Sequence, residues 1–537
     1  MFKRSPSSPD RPSFGRSDVI FFGLVFLFLY TQLFQLPFTP YYFGGDHLIP
    51  ISNAMRVLDG EVMYRDFFHI TPPGAELWYA AFFSVFGIKV WVLNFTILLL
   101  NLGLVSLAWY FSRQLFTGLM VYAAPTLLII FGFRLFFIDG SYRLFCVIFA
   151  LAAAAVLMRS RGKYEIVLAG ILCGISTLFG HPRGVTAVAG IALFLTWAHF
   201  RHPSRERGLF KTALLLGIPF AVTVFGTQIY FAVTAGFDNY YFSLVTFLQK
   251  YYSSDPLSNQ DVFLADLPDL GQFFSIYSPA AALSRYVRLA APTLFFYAVV
   301  PWTYFAFLLY RWRRKTYLEN AAADQRLMLL CSIGIALTIG VSAPSGFRLS
   351  HISIPAIVVL VWFLSRMKLA PYITVIVLSV SGILGAAYAI QRQTIEKSYL
   401  DMPAGRAAFL SPFVFDRYKW VGEHTRPGDL FYEGHHPTFY FPFHLKNPTP
   451  LYVVRDNNYS PSFQVDSVLR SLQAHPPEYI LWPRKWSKAA DKREPGDNLE
   501  DLWQFVRGNY EIIFVFEKPL DYTPNSEGDI EVWRKKD

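Results

Sequence analysis

Eleven apolar runs, each near the length of a membrane-crossing helix, dominate the first 390 residues of this chain. They occupy 19–37, 90–112, 114–133, 143–158, 165–180, 184–200, 211–234, 289–310, 326–343, 350–365 and 370–390. A hydrocarbon core about 30 Å thick needs roughly 20 apolar residues in a helix, because no backbone polar group can stay unsatisfied inside it. Composition agrees with a helical membrane bundle. Of 537 residues, 53% are hydrophobic and 16% charged, against about a quarter charged in soluble domains. The net charge is +10, but the basic residues form short clusters between apolar runs. They read as topology signals and not as a nucleic-acid surface. The first run follows Lys3, Arg4, Arg11 and Arg16 with no small-residue cleavage site, so it reads as an uncleaved span.

Loop charges set the expected orientation. A cytoplasmic N-terminus puts Arg113, then Arg159/Arg161/Lys163, Arg201/Arg205/Arg207/Lys211, Arg311/Arg313/Arg314/Lys315 and Arg366/Lys368 inside. The alternate loops hold Asp46, Asp59, Glu61, Asp66, Asp139, Asp238, Asp255, Asp261, Asp266 and Asp269. Segment 74–87, after Pro72-Pro73, also reads as an apolar helix. As a full span it would reverse every later loop, so a partial or interfacial helix is expected. The expected fold is an α-helical polytopic membrane protein of about 11 transmembrane helices, N-in and C-out. Residues 1–390 form the membrane module, with long outer loops at 38–89 and 235–288. A linker at 391–410 leads to a small extracytoplasmic α/β domain at 411–537. Its strands are expected at 429–433, 479–482, 511–516 and 530–533, and its helices near 412–424 and 464–473.

Candidate chemistry gathers in the outer loops. In Tyr42-Phe43-Gly44-Gly45-Asp46-His47-Leu48 two glycines let the chain turn where the first span ends. Asp46 there suits a general base or cation ligand, and equally a helix N-cap for 48–58. Asp59-Gly60 reads as a turn, and Tyr64 and Arg65 lie between two interfacial helices as ligand contacts or solvated loop. Asp139 is a second carboxylate on the same side, either sharing a pocket with Asp46 or paired with Arg134 or Arg143. His181 and Arg183 in one short outer turn, and Arg348 and His351 in another, are basic where positive charge is scarce. Arg and His at that depth suit a lipid phosphate; snorkelling is the plainer alternative. Glu433, His435, His436 and His444 read as surface loop. Cys146, Cys173 and Cys331 lie in apolar runs without metal-ligand spacing and read as space-filling.

These residues resemble the first outer loop of the GT-C class of glycosyltransferases, among them protein O-mannosyltransferases and the lipid A aminoarabinose transferase. The likeness rests on Gly45-Asp46, Asp59-Gly60-Glu61-Val62-Met63-Tyr64-Arg65-Asp66, Pro72-Pro73-Gly74 and Phe86-Gly87. It extends through Asp139, Gly170…Gly174…Gly180 and Arg348, over roughly residues 15–390. The resemblance implies a membrane glycosyltransferase of a bacterial-type inner (plasma) membrane. It implies a polyprenyl-phosphate-linked sugar as donor and a lipid, glycan or protein as acceptor. Asp46 and Asp139 would be catalytic, Asp46 as the base. Arg183, Arg348 and His351 would bind the donor phosphate, and His47, Tyr64, Arg65 and His181 would line the substrate site. Two departures stand out: His47 follows Asp46 where many members have Asp-Glu, and a Lys is often found where His181-Pro182-Arg183 stands. No cofactor is expected, no metal ligands are assigned, and a divalent cation at Asp46 is left open. Two other classes compete: a transporter or flippase of lipid-linked glycans, and a non-catalytic envelope scaffold. A transporter would show repeats and charges near mid-membrane; here the ionisable residues gather at the outer surface.

Overall fold

The computed structural model describes residues 14–132, 138–201, 208–252, 267, 274, 278–313, 321–341, 345–517 and 528–537. The chain enters through helix α1 (Arg16–Leu33). Its first turn is anchored by the buried Asp18 carboxylate, which accepts from Arg113 at 2.6 Å, Tyr122 at 2.9 Å and Trp109 at 3.0 Å. After α1 come a two-residue hairpin, β1 (Phe34–Gln35) and β2 (Thr39–Pro40), and two helices, α2 (Leu48–Leu58) and α3 (Gly74–Phe86). At 13 residues α3 rises only about 20 Å, too short to cross a bilayer, as the loop charges require.

The bundle continues through α4 (Val90–Arg113), α5 (Ala123–Gly132), α6 (Tyr142–Arg159), α7 (Lys163–Phe179), α8 (His181–Arg201) and α9 (Leu209–Thr234). It then runs through α10 (Pro279–Arg313), α11 (Ala321–Ile339), α12 (Gly346–His351), α13 (Ile354–Ser365) and α14 (Ala370–Thr394). Each of the eleven apolar runs is mostly helix among its described residues. Eight helices among the described residues are long and apolar enough to cross a membrane. The runs at 114–133, 165–180 and 350–365 form shorter helices: a 3-10 turn followed by α5, the 17-residue α7, and the 12-residue α13. By length, eight of the eleven expected spans are met among the described residues, and the other three are shorter helices. Of the second long loop, 237–250 is helical; Asp255, Asp261, Asp266 and Asp269 lie outside the described residues.

Small residues let the helices close on one another. A side chain at Gly170 of α7 would collide with the Leu216 carbonyl of α9, and one at Gly174 would sit 2.6 Å from Thr223 Cβ. At Gly190 of α8 a Cβ would lie 2.6 Å from Ala336 Cβ of α11. Such backbone proximity is how helices gain packing where lipid removes the hydrophobic drive between them. By contrast, α9 and α14 leave Val222, Phe225, Ile229, Ile376 and Ile383 exposed. These apolar outer faces are suited to contact with lipid tails.

The segment expected as a linker is a hairpin, β3 (Ser398–Leu400) with β4 (Ala407–Phe409). It is fastened to the first long loop: the Tyr42 N–H donates to the Ala408 carbonyl at 2.9 Å. In the C-terminal domain α15 (Pro412–His424) and α16 (Ser462–Ala474) match the expected helices, and α17 (Glu500–Asn509) is one the sequence reading did not anticipate. Its sheet, ordered β5-β6-β8-β7, comprises β5 (Phe431–Glu433), β6 (Tyr479–Pro483), β7 (Tyr510–Phe516) and β8 (Ile530–Lys535). Strands β5 and β6 are parallel; the other pairs are antiparallel. Trp482, Trp486 and Val506 fill its own buried core. The domain sits on the first long loop. Arg56 donates to the Thr449 carbonyl at 2.9 Å, the Phe68 N–H to the Pro450 carbonyl at 2.8 Å, and Lys446 pairs with Asp59 at 3.1 Å.

Substituting Gly174→Val should force α7 from α9 at a cost of about 1–3 kcal/mol. The expected result is a lower thermal unfolding midpoint in detergent, while Gly382→Ala on the open face of α14 leaves it unchanged. Equal midpoints for Gly174→Val and the parent would show that the two helices part freely.

Candidate functional site

The turn ahead of α2 is built for a backbone that ordinary residues resist: Gly45 has φ +143°. It brings Asp46 to the start of α2, where its carbonyl accepts from the Ile49 N–H at 3.3 Å. Its carboxylate does not cap the helix; the N-terminus of α2 has no side-chain cap. Instead Asp46 Oδ2 accepts from Arg143 Nη2 at 2.7 Å, across 97 residues of sequence. The N-cap alternative thus gives way to a tertiary ion pair. The Asp46 side chain remains 55% exposed, so a ligand can reach it.

Arg143 lies in the first turn of α6, two residues after its N-cap Ser141. Its Nη1 is 3.9 Å from Asp139 Oδ2 and donates to Ser141 Oγ at 3.2 Å. One guanidinium therefore stands between both candidate carboxylates. Asp139 is buried and held by its own loop: the Ser141 N–H donates to Oδ1 at 2.8 Å and Ser141 Oγ to Oδ2 at 2.9 Å. Tyr79 of α3 steadies that loop by donating to the Gly140 carbonyl at 2.7 Å. The Arg134 alternative lies outside the described residues.

His351 closes α12 and is fully buried. Its Nδ1 is 2.7 Å from the Phe347 carbonyl and its Nε2 is 3.2 Å from Asp139 Oδ2. Both ring nitrogens thus face oxygen acceptors. Burial alone would raise the Asp139 carboxyl; the His351 contact and the Arg143 charge outweigh it and hold it well below the usual range. The Arg143 guanidinium also holds Asp46 below its ordinary value, with His436 of the C-terminal domain acting in the same direction. His47 is buried, contacts the Phe43 carbonyl at 3.0 Å, and is kept neutral by desolvation against the pull of Asp139 and Asp46.

Arg183 joins this cluster. It is buried in the first turn of α8 and donates to the Arg143 carbonyl at 3.4 Å. Arg348 sits one turn before His351 on α12, half-buried, with its N–H donating to the cap Ser345 Oγ at 3.3 Å. The remaining candidates are elsewhere. Tyr64 is buried at φ +68°, donates to the Thr71 carbonyl at 2.8 Å and packs 5.0 Å from the Tyr240 ring. His181 Nε2 lies 2.8 Å from the Gln228 amide nitrogen, and the Gln228 oxygen accepts from Tyr240. Tyr64 and His181 therefore belong to a group around Tyr240. Arg65 is 50% exposed and pairs with Asp66 at 2.8 Å.

Two features escaped the sequence. Arg143 appeared there only as a partner for Asp139; a cation in the first turn of an apolar helix was the signal. The buried His69–Glu76 pair, 2.7 Å apart, went unread because His69 looked like ordinary loop and Glu76 like the start of an apolar helix. No group of three or more metal-ligating side chains occurs among the described residues.

No family model and no curated protein matches the chain. Solved structures do. The apo structure of ArnT from Cupriavidus metallidurans aligns with a TM-score of 0.57 over 97% of this chain and 98% of that one, at 12% identity. The same enzyme bound to undecaprenyl phosphate gives 0.54 over 96% and 97%, at 11% identity. An apo oligosaccharyltransferase from Archaeoglobus fulgidus gives 0.49 over 89% and 71%, at 12% identity. The fold is GT-C-like. At such identities the GT-C likeness is one of architecture: a helical membrane module carried through nearly its full length into a C-terminal domain.

The Asp139 contacts carry a pH signature. Its carboxyl is depressed from 3.8 in the folded chain, so its stabilisation is full above that value and is lost as pH falls through the lower folded one. The unfolding midpoint should therefore drop more steeply below about pH 4 in the parent than in Asp139→Asn. Parallel acid profiles would show that the contacts add nothing to stability.

Proposed function

We propose that this chain is an integral-membrane glycosyltransferase that moves a sugar from a polyprenyl-phosphate donor to an extracytoplasmic lipid, glycan or protein acceptor. The observation that carries the proposal is Arg143 held between an accessible and a buried carboxylate, with Arg183 and His351 beside it. Two further points support it: the alignment with ArnT bound to undecaprenyl phosphate, and the gathering of these charges at helix ends instead of mid-membrane.

The chemistry is a single displacement. Asp46, ionised at neutral pH, accepts the proton of an acceptor hydroxyl. The acceptor oxygen forms a bond to the anomeric carbon, the bond from that carbon to the phosphate oxygen breaks, and its electron pair leaves with the polyprenyl phosphate. One displacement inverts the anomeric centre. A phosphate leaving group needs no protonating acid when cations meet its charge, and Arg183 and Arg348 take that role. Asp139 and His351 orient Arg143. In the resting state Arg143 keeps Asp46 a weak base. An arriving phosphate competes for the guanidinium, and Asp46 grows more basic as the donor settles.

Asp46→Asn should reduce sugar transfer by about 10²–10⁴-fold with unchanged expression and unfolding midpoint. Full transfer by the purified variant would sink the role of Asp46. Arg348→Ala should raise the KM for donor by about 10–100-fold, as for loss of a charge-assisted hydrogen bond. A steady-state titration with polyprenyl-phosphate sugar reads it, and an unchanged KM would remove Arg348 from the donor site.

A further inference from the structure

A cavity of about 580 Å³ lies between α2 and the C-terminal domain, separate from the Asp46 cluster. That volume is typical of a site for a small organic ligand. Its lining shows which kind. Arg56 is committed to Glu61, with Nε donating to Oε2 at 2.7 Å, and to the Thr449 carbonyl at 2.9 Å. Lys446 is paired with Asp59 at 3.1 Å. Two cations and two carboxylates thus cancel within the lining. A phosphate or carboxylate ligand would have to break a pair to be held, and an alkyl chain would strand both pairs away from water. A neutral molecule rich in hydroxyls meets neither obstacle, because each ion pair still offers donors and acceptors to it.

The remaining walls fit a sugar ring. Tyr440 and Tyr452, both from the C-terminal domain, also line the cavity and offer aromatic surface to the apolar faces of a pyranose or furanose. Asn53 enters from α2, and its amide is fixed from behind: Nδ2 lies 3.2 Å from His69 Nδ1, while His69 Nε2 contacts Thr71 Oγ1 and stands 2.7 Å from Glu76 Oε1. His69 and Glu76 are buried, and this dyad has no other assigned part in the chemistry. It makes the Asn53 side chain a rigid element of the wall, which lowers the ordering cost of binding.

The cavity also lies along the way to the reacting centre. Asn53 and Arg56 follow Asp46 by seven and ten residues, about 10–15 Å along α2. Pro437 lines the cavity, and its neighbour His436 acts electrostatically on Asp46. The loop bearing both is clamped by Glu433, whose carboxylate accepts from the Thr438 and Phe439 N–H groups at 2.9 and 2.7 Å.

We propose that this cavity is an acceptor subsite for a neutral oligosaccharide, holding a sugar residue set back from the hydroxyl that faces Asp46. The proposal rests on the glycosyltransferase reading, and it narrows the acceptor from any lipid, glycan or protein to one bearing an uncharged glycan.

Saturation-transfer NMR on the purified full-length protein tests it. The probes are neutral trisaccharides of gluco, manno, galacto and N-acetylglucosamine configuration, with a hexuronate trisaccharide as the anionic probe. At least one neutral trisaccharide should bind at millimolar concentration, about tenfold more weakly in Lys446→Met and in Tyr452→Ala. Lys446 is 56% exposed, so its substitution leaves the fold intact even if Tyr452→Ala does not. Undecaprenyl phosphate binding should be the same in Lys446→Met as in the parent. The proposal is overturned by the absence of neutral binding, by tighter binding of the hexuronate, or by a Lys446→Met protein that binds as the parent does. The measurement contains no donor, so a failure of sugar transfer and a failure of trisaccharide binding are separate results.

Discussion

The Asp46–Arg143 ion pair joins two elements that lie 97 residues apart in sequence. Asp46 hangs from a glycine turn after α1, and Arg143 opens α6. The pair is worth little as a surface contact, because the carboxylate is half open to solvent. Its value lies in placement. Arg143 is also held by Ser141 and faces Asp139, which in turn meets His351 from α12. Three separate stretches of chain thus converge on one guanidinium, and the first loop is aimed by its far end.

That convergence depends on a scaffold with close helix packing behind it. Tyr79 of α3 carries the Asp139 loop, and Gly74 at the head of α3 lies so near Leu178 and Phe179 of α7 that a Cβ would not fit. From the other side the C-terminal domain presses on α2 through Arg56, Asp59 and the Tyr42–Thr438 contact. The loop carrying Asp46 is therefore fixed between a membrane bundle and a folded domain, although it is itself mostly irregular. A site held this way needs little rearrangement when its ligand arrives.

Much of this was legible in the linear sequence. Apolar runs gave the helices to within a few residues, since helix length in lipid is set by hydrocarbon thickness. Loop charges rightly kept 74–87 short. Alternating patterns located strands β5 to β8 and helices α15 and α16. What failed did so for local reasons. Asp46 precedes α2 just as an N-cap would, and only a partner 97 residues away decided otherwise. Tyr64 looked solvent-exposed because its neighbours Arg65 and Asp66 are charged, yet a left-handed backbone at φ +68° turns it inward against Tyr240. Segment 391–410 looked like linker because its strands are only three residues each and the bridge that fastens them, Tyr41 to Ala408, joins residues far apart in sequence.

The sequence by itself determined that this chain forms a helical membrane module with a small α/β domain, and that its ionisable residues gather at the loops. Those properties follow from hydropathy and charge, which each segment carries alone. Only the tertiary structure decided which charges meet: that Arg143 stands between Asp46 and Asp139, that His351 and Arg183 join them, and that Tyr64, Arg65 and His181 do not. An ion pair between distant segments has no signature in either segment. It exists because helix packing brings two side chains within 3 Å, and the spacing of residues along one chain does not encode that distance.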